Sequence, residues 1–200
     1  MKVMLIGATG IIGRAIATAL SPRHEVIAIS RHTEPLRVDI SSAESVRALF
    51  LAVGKIDAVI SAAGAARFKP LAQLEDEDFV FSLQNKLMGQ VNLVLIGREF
   101  IADGGSFTLT SGILSHDPVR FGSSASMVNG AIDGFVRAAA IELPRCIRIN
   151  AVSPGVLVES LPAYGPFFLG HEAVPGARVA LAYAKSVEGA QTGQIIRIHG

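Results

Sequence analysis

The sequence predicts an α/β fold, a doubly wound parallel sheet of seven strands with helices on both faces. Three observations predict it. Short apolar runs bounded by Gly, Pro, Ser or Asp alternate with longer segments of helical period. The first run leads straight into a glycine-rich turn, Gly7-Ala8-Thr9-Gly10-Ile11-Ile12-Gly13, that opens a helix. The chain has 200 residues, 50% of them hydrophobic and 18% charged, which is one domain's length and enough to bury a core without disulfides or metals.

Taken in chain order, strands are expected at 3–6, 25–29, 37–38, 58–61, 106–110, 148–152 and 194–198. Ser41-Ser42-Ala43-Glu44 reads as a capping box opening a helix to about residue 52, because a Ser hydroxyl and a Glu carboxylate can satisfy the orphan amides reciprocally. Glu75-Asp76-Glu77-Asp78 places acids at the positive end of a long helix reaching about residue 100, and 124–142 forms the next long helix. The stretch 160–172, rich in Pro, Gly and aromatics, breaks the strand-helix rhythm just after a strand's carboxyl end. It reads either as a substrate lid or as an ordinary packed loop.

Lys plus Arg number 18 against 17 Asp plus Glu, without a block of like charge, so the footprint for nucleic acid or an anionic membrane is missing. Partners are expected to be small molecules or protein. Cys146 is the single cysteine, which rules out an internal disulfide and points to the cytoplasm. The apolar opening, Met1 to Ile6, breaks at Gly7, too short for a signal peptide or a membrane span.

The glycine turn fits an anion. Gly7, Gly10 and Gly13 let backbone amides approach a diphosphate without a Cβ in the way, with Thr9 between them. The helix start at Ile11 and Ile12 offers unpaired amides and the positive dipole end. A tight turn without a ligand is the bland alternative. The second strand ends Ile29-Ser30-Arg31-His32, with no acid to bond the ribose hydroxyls of NAD. Arg31, helped by the Ser30 hydroxyl, suits the 2′-phosphate of NADP(H), unless Arg31 is a solvated surface residue.

With these residues in place, the chain resembles the short-chain dehydrogenase/reductase family, whose Rossmann-like fold binds NAD(P). Ser61-Ala62-Ala63-Gly64 is similar to that family's Asn-Asn-Ala-Gly turn, and Asp39-Ile40 to the pair flanking the adenine. Ile147 to Gly155 resembles the family's strand-six signature, and Thr192-Gly193-Gln194 its final strand. The resemblance implies cofactor contacts from Asp39, Ile40, Ala62, Ala63, Gly64, Pro154, Gly155 and Val156. It also implies a homo-oligomer, a dimer or tetramer built partly from the two long helices.

The family's chemistry uses a Ser, a Tyr, a Lys one turn beyond the Tyr, and an Asn in the preceding long helix. Ser111 stands at the Ser position, where it is also able simply to cap a turn. The Tyr position falls on Ala125 and the Lys position on Asn129. Lys86-Leu87-Met88-Gly89 falls where the family Asn is expected, although a shift of one residue aligns Asn85 instead. Phe79, Leu83, Lys86 and Gln90 share one helical face, so Lys86 is expected either to point inward, as acid, base or cofactor contact, or to snorkel from the helix edge. Tyr164 and Tyr183 lie far from the signature helix and are expected to pack.

Two functions follow. One is an NADPH-dependent reductase of a small carbonyl compound, with Ser111 polarising the carbonyl and Lys86 or water as proton source. The other is a catalytically silent NADPH sensor or scaffold; a plain scaffold with an empty crevice fits the intact glycine turn less well.

Overall fold

A computed structural model of the chain describes residues 1–32 and 35–200. Its described strands form one parallel sheet in the order β2-β1-β3-β4-β5-β6. These are β1 (Lys2–Ile6), β2 (Glu25–Ile29), β3 (Ile56–Ser61), β4 (Ile101–Thr110), β5 (Arg148–Pro154) and β6 (Ile195–Ile198). Central strands of such a sheet are covered on both faces and therefore read as unbroken apolar runs. In β1, Met4 and Ile6 face one core while Val3 and Leu5 face the other.

The first core is closed by α2 (Ala43–Val53), α4 (Gly89–Gly97) and α5 (Ser123–Glu142), through residues such as Phe50, Leu93 and Ile132. The second is closed by α1 (Ile11–Leu20) and α7 (Gly176–Glu188), through Ile16, Leu20, Val179 and Tyr183. Among the described residues no helix is long and apolar enough to cross a membrane.

The expected strand at 37–38 does not form a ladder, leaving six strands among the described residues. It contributes a single bridge, Ser30 to Arg37, with the Val38 amide donating to the Ser30 carbonyl at 3.1 Å. The next amide, Asp39, donates instead to Ser45 Oγ at 3.0 Å, which turns the chain into α2 before a ladder can extend. The cap of α2 also shifts by one residue. Ser42 Oγ accepts from the Ser45 amide, while the Ser41 hydroxyl donates to Asp39.

The long helix expected from residue 75 is broken into α3 (Asp76–Ser82), a π-helical turn (Leu83–Met88) and α4. The acids open it as predicted, with Glu75 at the cap and the Asp78 carboxylate accepting from the Glu75 amide at 3.2 Å. Gly89 lets α4 lie against the sheet's neighbour Ile40, since a Cβ there would stand 2.8 Å from Ile40 Cδ1.

The irregular stretch folds as short helical turns, Val158–Ser160, α6 (Leu161–Tyr164) and Gly165–Phe167. Its base is pinned. The Val158 amide donates to the Val174 carbonyl, and the Glu159 carboxylate accepts from the Gly176 amide at 3.0 and 3.1 Å, capping α7.

Candidate active site

Two hollows open at the carboxyl edge of the sheet, where parallel α/β folds place their ligands. The outer, about 350 Å³, is lined by Gly7, Thr9, Gly10, Ser30, Arg31 and Ile40, among others. The inner, about 380 Å³, is lined by Lys86, Ser111, Asn129, Pro154, Gly155 and Tyr164 of α6, among others. Ala62, Ala63, Gly64 and Ala65 border both, so the two hollows form one elongated crevice.

The glycine turn is built for close approach. Gly7 has φ 86°, and a Cβ on it would lie 2.5 Å from the Ala62 carbonyl oxygen. A Cβ on Gly13 would lie 2.1 Å from the Gly7 carbonyl oxygen, so Gly13 seats α1 on the turn rather than touching the crevice. No described side chain caps α1 and its first turn holds no acid, which leaves the amino-terminal amides for an anion. Thr9 and Gly10 line the outer hollow and Ile12 the inner one, whereas Ile11 faces a separate surface hollow.

Arg31 is extended at the rim of the outer hollow, its side chain 59% exposed, with Asp39 Oδ1 3.6 Å from its Nη2. Asp39 itself is set back from the walls, which are formed by its neighbours Val38 and Ile40. Its carboxylate accepts from the Ser41 hydroxyl at 2.7 Å and from the Ser41 amide at 3.0 Å. The Ser41 hydroxyl, followed by its amide and the Arg31 charge, holds this carboxyl below its ordinary range. Asp39 thus orients Arg31. Ser30 is buried, and its Oγ accepts from the His32 amide at 3.2 Å.

At the inner end the helix presents two neighbouring side chains to different hollows. Lys86 lines the inner hollow and Asn85 the outer, where the Asn85 amide donates back to the Phe81 carbonyl. Lys86 Nζ donates to the Ser111 carbonyl at 3.1 Å. Burial pushes its ammonium down from the ordinary lysine value to about 8, with the Asp133 carboxylate pulling the other way. Ser111 is buried, and its hydroxyl has no hydrogen-bond partner among the described residues.

Sequence reasoning missed two residues here. Gln90 clamps the end of β4, accepting from the Thr110 amide and donating to the Thr110 carbonyl, both at 2.8 Å. Its place on the Lys86 stripe was the available signal. Asp133 lies on the buried stripe of α5 with Ala125, Val128, Asn129, Ile132 and Val136, a polar interruption at helical spacing. Asn129 Oδ1 and Asp133 Oδ1 are buried without partners among the described residues. The Asn129 amide also packs on Gly112, where a Cβ would stand 2.8 Å from its Nδ2.

The tyrosines separate. Tyr183 is fully buried in the core, its hydroxyl 2.6 Å from Thr110 Oγ1, and burial pushes that phenol above its ordinary range. Tyr164 ends α6 and lines the inner hollow, with its ring edge-on to Phe68 at 6.0 Å. Val156 is buried one position beyond the crevice, against a small hollow that also holds His171 and His199.

Comparison with known proteins gives consistent likenesses. A family model described as enoyl-(acyl carrier protein) reductase matches residues 7–165. Human L-xylulose reductase is 29% identical over 178 residues, covering 80% of this chain and 73% of that one. The solved structure of protein lin1944 from Listeria innocua is 49% identical, with a TM-score of 0.97 and 98% of each chain covered. That of a small-chain dehydrogenase in complex with NADPH is 28% identical, with a TM-score of 0.89 and coverage of 99% and 96%.

Proposed function

The chain belongs to the short-chain dehydrogenase/reductase family, and from that premise we propose that it binds NADP(H) along the joined crevice and reduces a small carbonyl compound there. In this reading it is a divergent member, working without the Tyr and Lys pair usual in the family. The observation that carries it is the crevice itself, with a cation at one end and an unpartnered hydroxyl beside an ammonium at the other.

The free amides at the start of α1 hold the diphosphate. Arg31 takes the 2′-phosphate, a charge-assisted contact of about 1.5–3 kcal/mol and so about a ten- to hundredfold preference over NADH. Bound there, the reduced cofactor supplies a hydride. The Ser111 hydroxyl, having no internal acceptor, is free to donate to the substrate's carbonyl oxygen. Lys86, with a value of about 8, is largely protonated near neutral pH and holds the proton that the reduced oxygen takes. The cytoplasm suits the exposed thiol of Cys146. Two copies pair through the α4 and α5 faces, where Leu95 and Phe135 line a groove of about 180 Å³.

A second reading is a silent NADPH sensor or scaffold, favoured by Ala125 and Asn129 standing on the inner wall in place of the family's proton relay. One experiment separates the two. Titration with NADPH and NADH is followed by NADPH oxidation against a panel of carbonyl compounds. The reductase reading expects tighter NADPH binding and turnover that Ser111→Ala reduces strongly. Saturable NADPH binding without turnover of any compound selects the silent reading, and tighter NADH binding removes the role of Arg31.

A further inference from the structure

One wall of the inner hollow comes from a segment that belongs to no helix or ladder. Beyond the tip of β3 the chain runs irregularly to Pro70, and its side chains part in two directions. Ala66 and Phe68 turn to the inner hollow, while Arg67 and Lys69 turn to α3, the two-residue alternation of extended chain. Phe68 packs there on the small apolar cluster of Ile113, Leu114 and Ala125.

Both cations converge on Asp78, whose side chain is only 8% exposed. Lys69 Nζ donates to Oδ2 at 2.8 Å, and Arg67 Nε stands 3.7 Å from Oδ1 with its guanidinium 3.8 Å above the Phe81 ring. The bond from Lys69, and then that from the Glu75 amide, hold the Asp78 carboxyl below its ordinary range, so it is charged near neutral pH. The main chain is gripped on either side of Phe68 as well. The Arg67 amide donates to Ser82 Oγ at 3.0 Å and the Lys69 amide to the Phe121 carbonyl at 3.1 Å. Ser82 in turn donates to the Asp78 carbonyl at 2.8 Å and accepts from Ser124 Oγ at 2.7 Å, which joins the clamp to α5.

Resting on the reductase reading above, we propose that Asp78 is a positioning residue for the substrate: by drawing Arg67 and Lys69 to α3 it fixes the Phe68 wall of the inner hollow, and so sets how tightly the carbonyl compound is held. Asp78 is not among the described residues that line either hollow, so it acts through the wall and not by contact. Without a carboxylate to meet them, two solvated cations on a segment without a ladder are free to turn outward, and the side chain between them loses its direction. Phe68 supplies contact area and no proton. Ser111 and Lys86 are held separately, through the bonds of Lys86 to the Ser111 carbonyl and of Gln90 to Thr110. Loss of the clamp therefore falls on substrate affinity and spares the hydride step.

The test uses the full chain and the member of the carbonyl panel that it turns over fastest. Asp78→Asn keeps an acceptor for the Glu75 amide and removes the charge. It is expected to raise KM by about 5-fold, the upper end for an ion pair partly open to solvent, with kcat and NADPH affinity unchanged within about 2-fold. A loss of folded protein lowers the apparent kcat and leaves KM alone, so this split separates positioning from stability. Arg67→Gln combined with Lys69→Gln empties the clamp from its exposed side and is expected to give the same rise. Phe68→Ala is expected to raise KM at least as far, and Asp78→Asn added to it to do nothing more, because both act on one wall. Additive increments, an unchanged KM in either clamp variant, or a fall confined to kcat overturns the positioning role and leaves the reductase reading standing. No turnover of any compound by the parent chain overturns both.

Discussion

The outer and inner hollows share a wall but are built from different material. The outer is a backbone device: glycines, a helix start and a strand tip, with Arg31 at the rim. The inner depends on side chains from a π-helical turn, α5 and α6, each held by its own neighbours. Backbone sites tolerate sequence drift because any residue supplies an amide, provided the glycines stay. Side-chain sites change chemistry with one substitution, and in the inner hollow the chemistry rests on Lys86, Ser111 and Asn129.

The sharpest way to break this contrast is at the inner end. Ser111→Ala is expected to lower kcat by about 10²–10³-fold while leaving the affinity for NADPH, read by titration, nearly unchanged. In the outer half, Gly13→Ala places a Cβ 2.1 Å from the Gly7 carbonyl oxygen. It is expected to cost about 1–3 kcal/mol of stability in thermal or denaturant unfolding, and to remove the rise in Tm that NADPH gives the parent. Arg31→Ala is expected to weaken NADPH by about ten- to hundredfold and NADH hardly at all, which calorimetry reads directly.

The smallest effect concerns pH. Turnover that needs the Lys86 proton falls as pH rises through about 8. The Asp133 carboxylate supports the charged ammonium, so Asp133→Asn lowers the value further and moves that falling limb toward lower pH. A pH–rate profile of the variant, or the titration of a labelled Lys86 side chain, measures the shift. An unmoved limb would mean that Lys86 is not the proton source.

The same division explains what was readable in the sequence. β2 and the cores of β1, β3, β4 and β5 follow from apolar runs whose punctuation is local, as does the turn from Gly7 to Gly13. The edge at residues 37–38 was not readable, because whether two residues extend a ladder depends on where Asp39 sends its amide. Periodicity also cannot distinguish an α-helix from one interrupted by a π-helical turn, so the break at Leu83–Met88 was invisible. That turn brings Lys86 to the inner hollow and Asn85 to the outer, a division that spacing alone could not give. Asp133 escaped notice because a buried acid on a long helix looks like any surface acid until its neighbours are known.

The clamp from Gln90 to Thr110 makes the helix and the strand tip a single mechanical part. Gln90 grips both polar groups of the residue before Ser111, and Lys86, one turn earlier, grips the carbonyl of Ser111 itself. Ammonium and hydroxyl therefore ride on the same bracket. A rearrangement that slides one relative to the sheet carries the other along, so their mutual spacing is lost only when the bracket itself comes apart.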